Sequence, residues 1–263
     1  MRPLIALLLC MRCAGQSPSD IANAEMAFAR LASEKGTAAA FLATLAEGSV
    51  ILQREPVDAR AYYAKDSDTG LLMWRPTWVG ISASDDLAYS TGPWEYRVAK
   101  DAAPLVQGHF LSIWAKQPDG TWKVAFDCGV PHGPRKEQEN WGSFLPSAPP
   151  PKGEGVVSLK AADATLTDGS SIGRSLAFGA VVYRPRFMPL EGRSAVLDAL
   201  ADEPVRRFVP AGAVASKAQD LGYSWGTATT SQGDRSGYLH VWVRPGGVWR
   251  LLYELELPVP KKP

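Results

Sequence analysis

Four blocks of this sequence occur twice, in the same order and roughly 130 residues apart. Pro56-Val57-Asp58-Ala59-Arg60 matches Pro189-Leu190-Glu191-Gly192-Arg193. Asp86-Leu87-Ala88-Tyr89-Ser90-Thr91-Gly92 returns as Asp220-Leu221-Gly222-Tyr223-Ser224-Trp225-Gly226. Phe110-Leu111-Ser112-Ile113-Trp114 returns as Tyr238-Leu239-His240-Val241-Trp242, and the run from Trp122 to Asp127 as Trp249 to Glu254. Solenoid repeats of about 20–50 residues need their neighbours to bury a core, whereas a period this long is domain-sized. The 263-residue chain is therefore expected to be one unit written twice. Pro149-Pro150-Pro151 stands at the centre of the stretch 146–155, and consecutive prolines favour extended backbone without internal hydrogen bonds. A linker is placed there, between a first unit at 20–145 and a second at 156–260.

Within the first unit the hydrophobic period changes along the chain. From Asp20 to Lys35, Ile21, Ala24, Phe28, Leu31 and Ala32 recur at helical spacing, and Gly36 follows as a stop. A second helix over Thr37–Ala46, a short strand at Val50–Leu52 and a short helix over Asp58–Lys65 are expected next. Strands are then predicted over Leu71–Ile81, Leu87–Val98, Gly108–Lys116 and Trp122–Cys128, all rich in aromatic and β-branched residues. Pro118-Asp119-Gly120 supplies the turn between the last two. Helices first and an antiparallel meander afterwards is an α+β order, with the helices on one face of the sheet.

The first fifteen residues differ in kind. Arg2 precedes an apolar run from Leu4 to Met11, and Cys13-Ala14-Gly15 offers small residues for cleavage, the pattern of an export signal at 1–15. The run is too short for a permanent membrane span. A periplasmic or extracellular protein with no membrane contact after cleavage is expected. A lipoprotein would need Cys10 or Cys13 as acceptor, but Leu9 and Arg12 stand where small residues are wanted. After the cut only Cys128 remains, so no internal disulfide is available. His109, His132 and His240 lie in separate segments without ligand-like spacing, and no metal site is expected. A formal net charge of +1 and the lack of a basic stripe give no reason to expect nucleic acid.

The helix–helix–strand–helix order followed by a four-stranded meander resembles the NTF2-like (cystatin-like) superfamily. Leu72-Met73-Trp74-Arg75-Pro76, Asp86 to Gly92 and Gly120-Thr121-Trp122-Lys123-Val124 look like its SnoaL-like branch, uncharacterised members included. The resemblance covers most of 21–130 and, less closely, 156–258. It implies two tandem cone-shaped units, each with helices packed on a curved sheet, whose interior holds a small apolar molecule. It implies no cofactor. Relatives of this kind pair sheet to sheet, so either intramolecular pairing of the two units or a homodimer is expected.

Chemistry in such a cone needs a carboxylate. Glu55, just before Pro56, is where the ketosteroid-isomerase-like branch keeps an Asp-Pro general base. That branch also needs acidic donors for an oxyanion, and neither the neighbourhood of Ala29 nor Gly108–Lys116 supplies them. Asp127, near the end of the last strand, is the second candidate. Simple alternation groups it with Lys123 and Ala125, opposite Trp122, Val124, Phe126 and Cys128, which predicts a solvent-facing side chain unless a bulge intervenes. In the second unit Met188 stands at the position of Glu55, and the expected strand Phe178–Arg186 contains no evident base. Candidate wall residues for a flat ligand are Trp74, Trp78, Tyr89 and Trp94, with Phe110, Ser112 and Trp114 alternating on one face. His240 holds the place of Ser112 in the second unit. Two functions follow: an exported binder of a small apolar or aromatic molecule, or a cofactor-independent isomerase, cyclase or dehydratase using Asp127 or Glu55.

Overall fold

Ser17 and Asp20 open the first helix reciprocally, the Ser17 N–H donating to Asp20 Oδ2 at 2.6 Å with Pro18 in the first turn. The helix, α1, runs Pro18–Lys35 and stops at Gly36, whose φ of 88° glycine adopts without strain. The structure is a computed structural model that describes residues 17–133, 142–144 and 155–260. The expected export signal at 1–15, with Cys10 and Cys13, and all of the Pro-rich stretch except Gly155 lie outside the described residues. After α1 come α2 (Thr37–Thr44), β1 (Leu45–Gln53), β2 (Glu55–Asp58), α3 (Ala59–Tyr63), β3 (Leu71–Trp74), β4 (Trp78–Ile81), β5 (Leu87–Arg97), β6 (Val106–Lys116), β7 (Trp122–His132) and β8 (Gly142–Phe144). The second unit contains α4 (Gly155–Asp163), α5 (Gly169–Ser175), β9 (Leu176–Tyr183), β10 (Leu190–Glu191), α6 (Arg193–Leu200), β11 (Arg206–Ala215), β12 (Leu221–Thr230), β13 (Arg235–Val243) and β14 (Arg250–Pro258).

The fold is α+β, with the helices-first, curved-sheet layout that the resemblance implied. One sheet runs β2-β1-β7-β6-β5-β4-β8, with β3 also on β5, and the other β10-β9-β14-β13-β12-β11. In each, the strand after the first two helices joins the last long strand in parallel, β1 on β7 and β9 on β14, and the meander is antiparallel. Several boundaries differ from expectation. The second helix ends at Thr44, because the chain is already in the sheet from Leu45. The expected strand Leu71–Ile81 is two strands, broken at Arg75-Pro76-Thr77, since proline cannot donate to the ladder. The strand expected over Phe178–Arg186 is Leu176–Tyr183, and Gly155 begins a helix.

Three apolar clusters stack as helix, sheet, sheet, helix. Ile21, Phe28, Phe41 and Trp114 fill the space between helices and sheet in the first unit, and Leu159, Ile172, Val196 and Trp242 do so in the second. Between the sheets, Tyr89, Leu111, Phe126 and Cys128 meet Tyr223, Leu239, Tyr253 and Leu255. The repeated Asp86 and Asp220 mark this junction: Asp220 Oδ2 accepts the Ala83 N–H at 2.8 Å, and Asp86 Oδ2 accepts the Lys217 N–H at 3.0 Å. Each unit thus caps the other's turn by the same device, as in a two-fold interface.

Candidate functional site

A bulge decides what the first unit's interior contains. Ile113 pairs with Phe126 but Trp114 pairs with Val124, so Ala125 is the extra residue on β7. Val124 therefore points with Trp114 toward the helices, while Phe126 and Cys128 turn into the core between the sheets. Asp127 is carried to the helix side. The solvent-facing reading of Asp127 is thus corrected: it is half-buried, and it lines a cavity of about 1260 Å³. β14 repeats the shift between Val241 and Trp242, which turns Glu254 inward in the second unit.

The cavity opens from the cone of the first unit toward the segment 184–187 and the end of β14. Phe41, Tyr63, Trp74, Trp94 and Phe110 form its aromatic wall, with Phe41 and Tyr63 stacked at 4.0 Å. Ser112 Oγ donates to Asp127 Oδ2 at 2.6 Å, directly across the ladder. Burial, with Glu25 as a further negative neighbour, pushes Asp127 up to about 7 despite that hydrogen bond. Tyr63 shares the cavity, and burial together with Asp127 raises its phenol well above the ordinary value, so it stays a donor.

Behind this wall sits Glu25, fully buried on α1. It accepts Trp74 Nε1–H at 2.6 Å, Ser90 Oγ–H at 2.5 Å and Trp114 Nε1–H at 2.9 Å. Burial raises its pKa, and the hydrogen bonds from Ser90, Trp74 and Trp114 offset part of the rise. Glu25 therefore fixes the indole of a wall residue while lying outside the wall itself.

The second unit fills the matching space with charge. Asp163 accepts Ser224 Oγ–H at 2.7 Å and Tyr238 O–H at 2.9 Å, and it pairs with His240 Nδ1 at 2.7 Å. Glu254 faces His240 across the ladder, as Asp127 faces Ser112. Arg184 bonds Glu254 and Glu203, and Arg206 bonds Glu256 at 2.9 Å and Glu203 at 3.0 Å. Burial alone would lower His240, but Asp163 and Glu254 lift it to about 9, so it is an imidazolium at neutral pH. Burial likewise works against the charge of Asp163 and Glu254, yet His240 holds the first low and Arg184 with His240 the second. β9 itself supplies none of these titratable groups; they come from α4, β13 and β14, from the start of β11 and from the segments after β9 and before β11.

The other candidates disperse. Glu55 opens β2, the edge strand of the sheet, where it pairs with Arg235 of the second unit at 2.5 Å and does not line the cavity. Trp78 is 41 % exposed on β4 beside Gly142, away from the cavity. Tyr89 is core between the sheets, and Trp114 stands behind the wall on Glu25. His109 and His132, distant in sequence, share a hydrogen bond of 2.6 Å because β6 and β7 are paired. Among the described residues no group of three or more His, Cys, Asp or Glu is placed to hold a metal. No described helix is long and apolar enough to cross a membrane.

Sequence reasoning missed Glu25, Tyr63, Asp163 and Arg184. A signal existed for two of them. Glu25 stands four after Ile21 and three before Phe28 on the buried stripe of α1, and Asp163 stands four after Leu159. A carboxylate at a core position of a helix must have partners.

No protein-family model matches the chain, and neither does any curated protein. Solved structures similar to parts of it include a ketosteroid isomerase-like protein from Erwinia carotovora atroseptica, 17% identical with a TM-score of 0.36. That match covers 44% of this chain and 96% of the other. An NTF2-like protein of unknown function from Shewanella oneidensis is 18% identical over 43% of this chain and 98% of its own, with a TM-score of 0.34. A protein of unknown function with a cystatin-like fold from Nostoc punctiforme is 12% identical, covers 41% and 92%, and has a TM-score of 0.34.

Proposed function

We propose that the first unit binds a small, flat, largely apolar molecule and moves a proton on it without a cofactor, in the manner of SnoaL-like isomerases. The observation that carries this reading is Asp127: a carboxyl titrating near 7 on the wall of an aromatic cavity. A base acts best when its pKa lies near the working pH, because it is then both available and strong. Asp127 takes a proton from the carbon beside a carbonyl, and the C–H electron pair moves into an enolate. The Tyr63 hydroxyl, with no hydrogen bond to the protein among the described residues, donates to the enolate oxygen. Asp127 then returns the proton, to the same carbon as exchange or to a conjugated carbon as isomerisation, and no oxidant or reductant is needed. The second unit, its interior closed by ion pairs, is the built-in sheet partner. On the strength of Leu4–Met11 and the small residues after it, the protein works outside the cytoplasm.

Hydrogen–deuterium exchange of small cyclic ketones and enones in heavy water, followed by proton NMR, tests the chemistry. Wild type is expected to accelerate exchange, with a loss of roughly 10²–10⁴-fold in Asp127→Asn, the range for a general base. Tyr63→Phe should slow exchange while ligand still binds. Ligand binding without accelerated exchange would leave the cavity a receptor site and remove the catalytic step.

A further inference from the structure

The cavity's mouth carries positive charge that its apolar interior does not use. Arg54, in the turn between β1 and β2, and Arg186, just after β9, both line the cavity and are both exposed. Both hold left-handed backbone, with φ of 73° and 76°. For a residue with a Cβ this conformation is disfavoured, and glycine would adopt it freely. Among the described residues Asp85 and Gln219 also have positive φ in equivalent hairpin turns of the two units, and the tight β1–β2 hairpin that pairs Gln53 with Glu55 sets the φ of Arg54 in the same way, whereas Arg186 lies in no such hairpin. Strained backbone at a cavity rim is a reason to look for a role there.

Among the described residues no carboxylate pairs with either guanidinium. Arg54 spends one N–H on the Pro258 carbonyl at 2.9 Å, out of five donors. Arg186 forms only a backbone bond, its N–H to the Pro131 carbonyl at 2.9 Å, and its side chain has no partner among the described residues. The nearby acids are committed elsewhere: Glu55 to Arg235, and Glu203 to Arg184 and Arg206. Arg184, the third arginine on the cavity, is held by Glu254, Glu256 and Glu203.

We propose that the ligand is an amphiphilic anion, its flat apolar body in the cone and its anionic head at the mouth on Arg54 and Arg186. This rests on the binding role assigned to the cavity above. Arginine presents a planar fork suited to carboxylate, sulfonate or phosphate oxygens. The arrangement also orients the molecule, since an anionic head is attracted at the rim and repelled by ionised Asp127 within.

N-phenyl-1-naphthylamine and its 8-sulfonate share one apolar body and differ by the anionic group. Fluorescence titration of the full chain with each, at low and high salt, separates the contributions. The sulfonate is expected to bind roughly tenfold more tightly at low salt, the range for charge-assisted contacts at an accessible site. That preference should shrink with salt and vanish in the double variant Arg54→Glu, Arg186→Glu. Equal affinities in wild type, or a preference surviving the double variant, would overturn the anionic head and leave the cavity role standing. Val106→Trp, which fills the lining, tests that role separately. If it leaves neutral-probe binding unchanged, the cavity reading fails and the head-group assignment fails with it.

Discussion

Replacing Asp127 by asparagine should make the protein more stable at alkaline pH and leave its stability in acid nearly unchanged. A carboxyl whose pKa is higher in the folded than in the unfolded chain opposes folding when ionised. The penalty is absent below the unfolded value of 3.8, grows as the pH rises toward about 7, and is constant above that. A rise of about three units at 1.36 kcal/mol each gives about 4 kcal/mol, an upper bound because water in the cavity reaches the carboxylate. Asparagine keeps an oxygen to accept the Ser112 hydroxyl, so the substitution removes the charge and little else. Urea denaturation of both proteins at pH 3.5, 6 and 8.5 measures the difference. The gap should open by about 2–4 kcal/mol between the extremes in favour of the variant. A gap that stays constant with pH would refute the argument that burial dominates Asp127. The same variant should lose proton transfer, so stability gained and chemistry lost would coincide at one residue.

Glu25→Ala should cost about 3 kcal/mol or more in thermal or urea unfolding, because it orphans the Trp74 and Trp114 N–H groups and the Ser90 hydroxyl. Glu25→Gln should cost less, since its oxygen keeps Trp74, its amide can donate to Ser90 Oγ, and the Trp114 N–H retains Ser90 Oγ at 2.9 Å; equal losses would contradict that accounting. Arg184→Met should destabilise by about 3–5 kcal/mol by leaving the fully buried Glu254 without its guanidinium; a neutral result in urea titration would show that His240 is cation enough for Glu254. The raised pKa of His240 gives stability that is complete below 6.5 and lost as pH rises through about 9. An alkaline fall in Tm that persists in His240→Gln would place its origin elsewhere. Gly237→Ala should disturb the junction of the units, because the added Cβ would lie 2.3 Å from the Arg54 carbonyl oxygen; unchanged unfolding would mean that this turn can move aside.

Composition and periodicity alone set the element types. The spacing of Ile21, Phe28 and Ala32 wrote α1, Gly36 ended it, and Pro118-Asp119-Gly120 closed a hairpin in which Gly120 adopts φ of 86°. These are local preferences, legible because each depends on residues within a turn or two of one another. Simple alternation failed at Ala125, since a bulge is defined by the partner strand, and a one-residue shift sends every later side chain to the opposite face. That shift placed Asp127 on a cavity wall and raised its pKa, and at Leu252 it placed Glu254 against His240. Tyr63 and Arg54 reach the same cavity because β1 lies parallel to β7, a pairing across more than seventy residues that no local pattern records. The sequence by itself determined which segments coil and which extend. Only the tertiary structure decided which carboxylates lost their water, because desolvation is set by everything packed around a group and not by its neighbours in the chain.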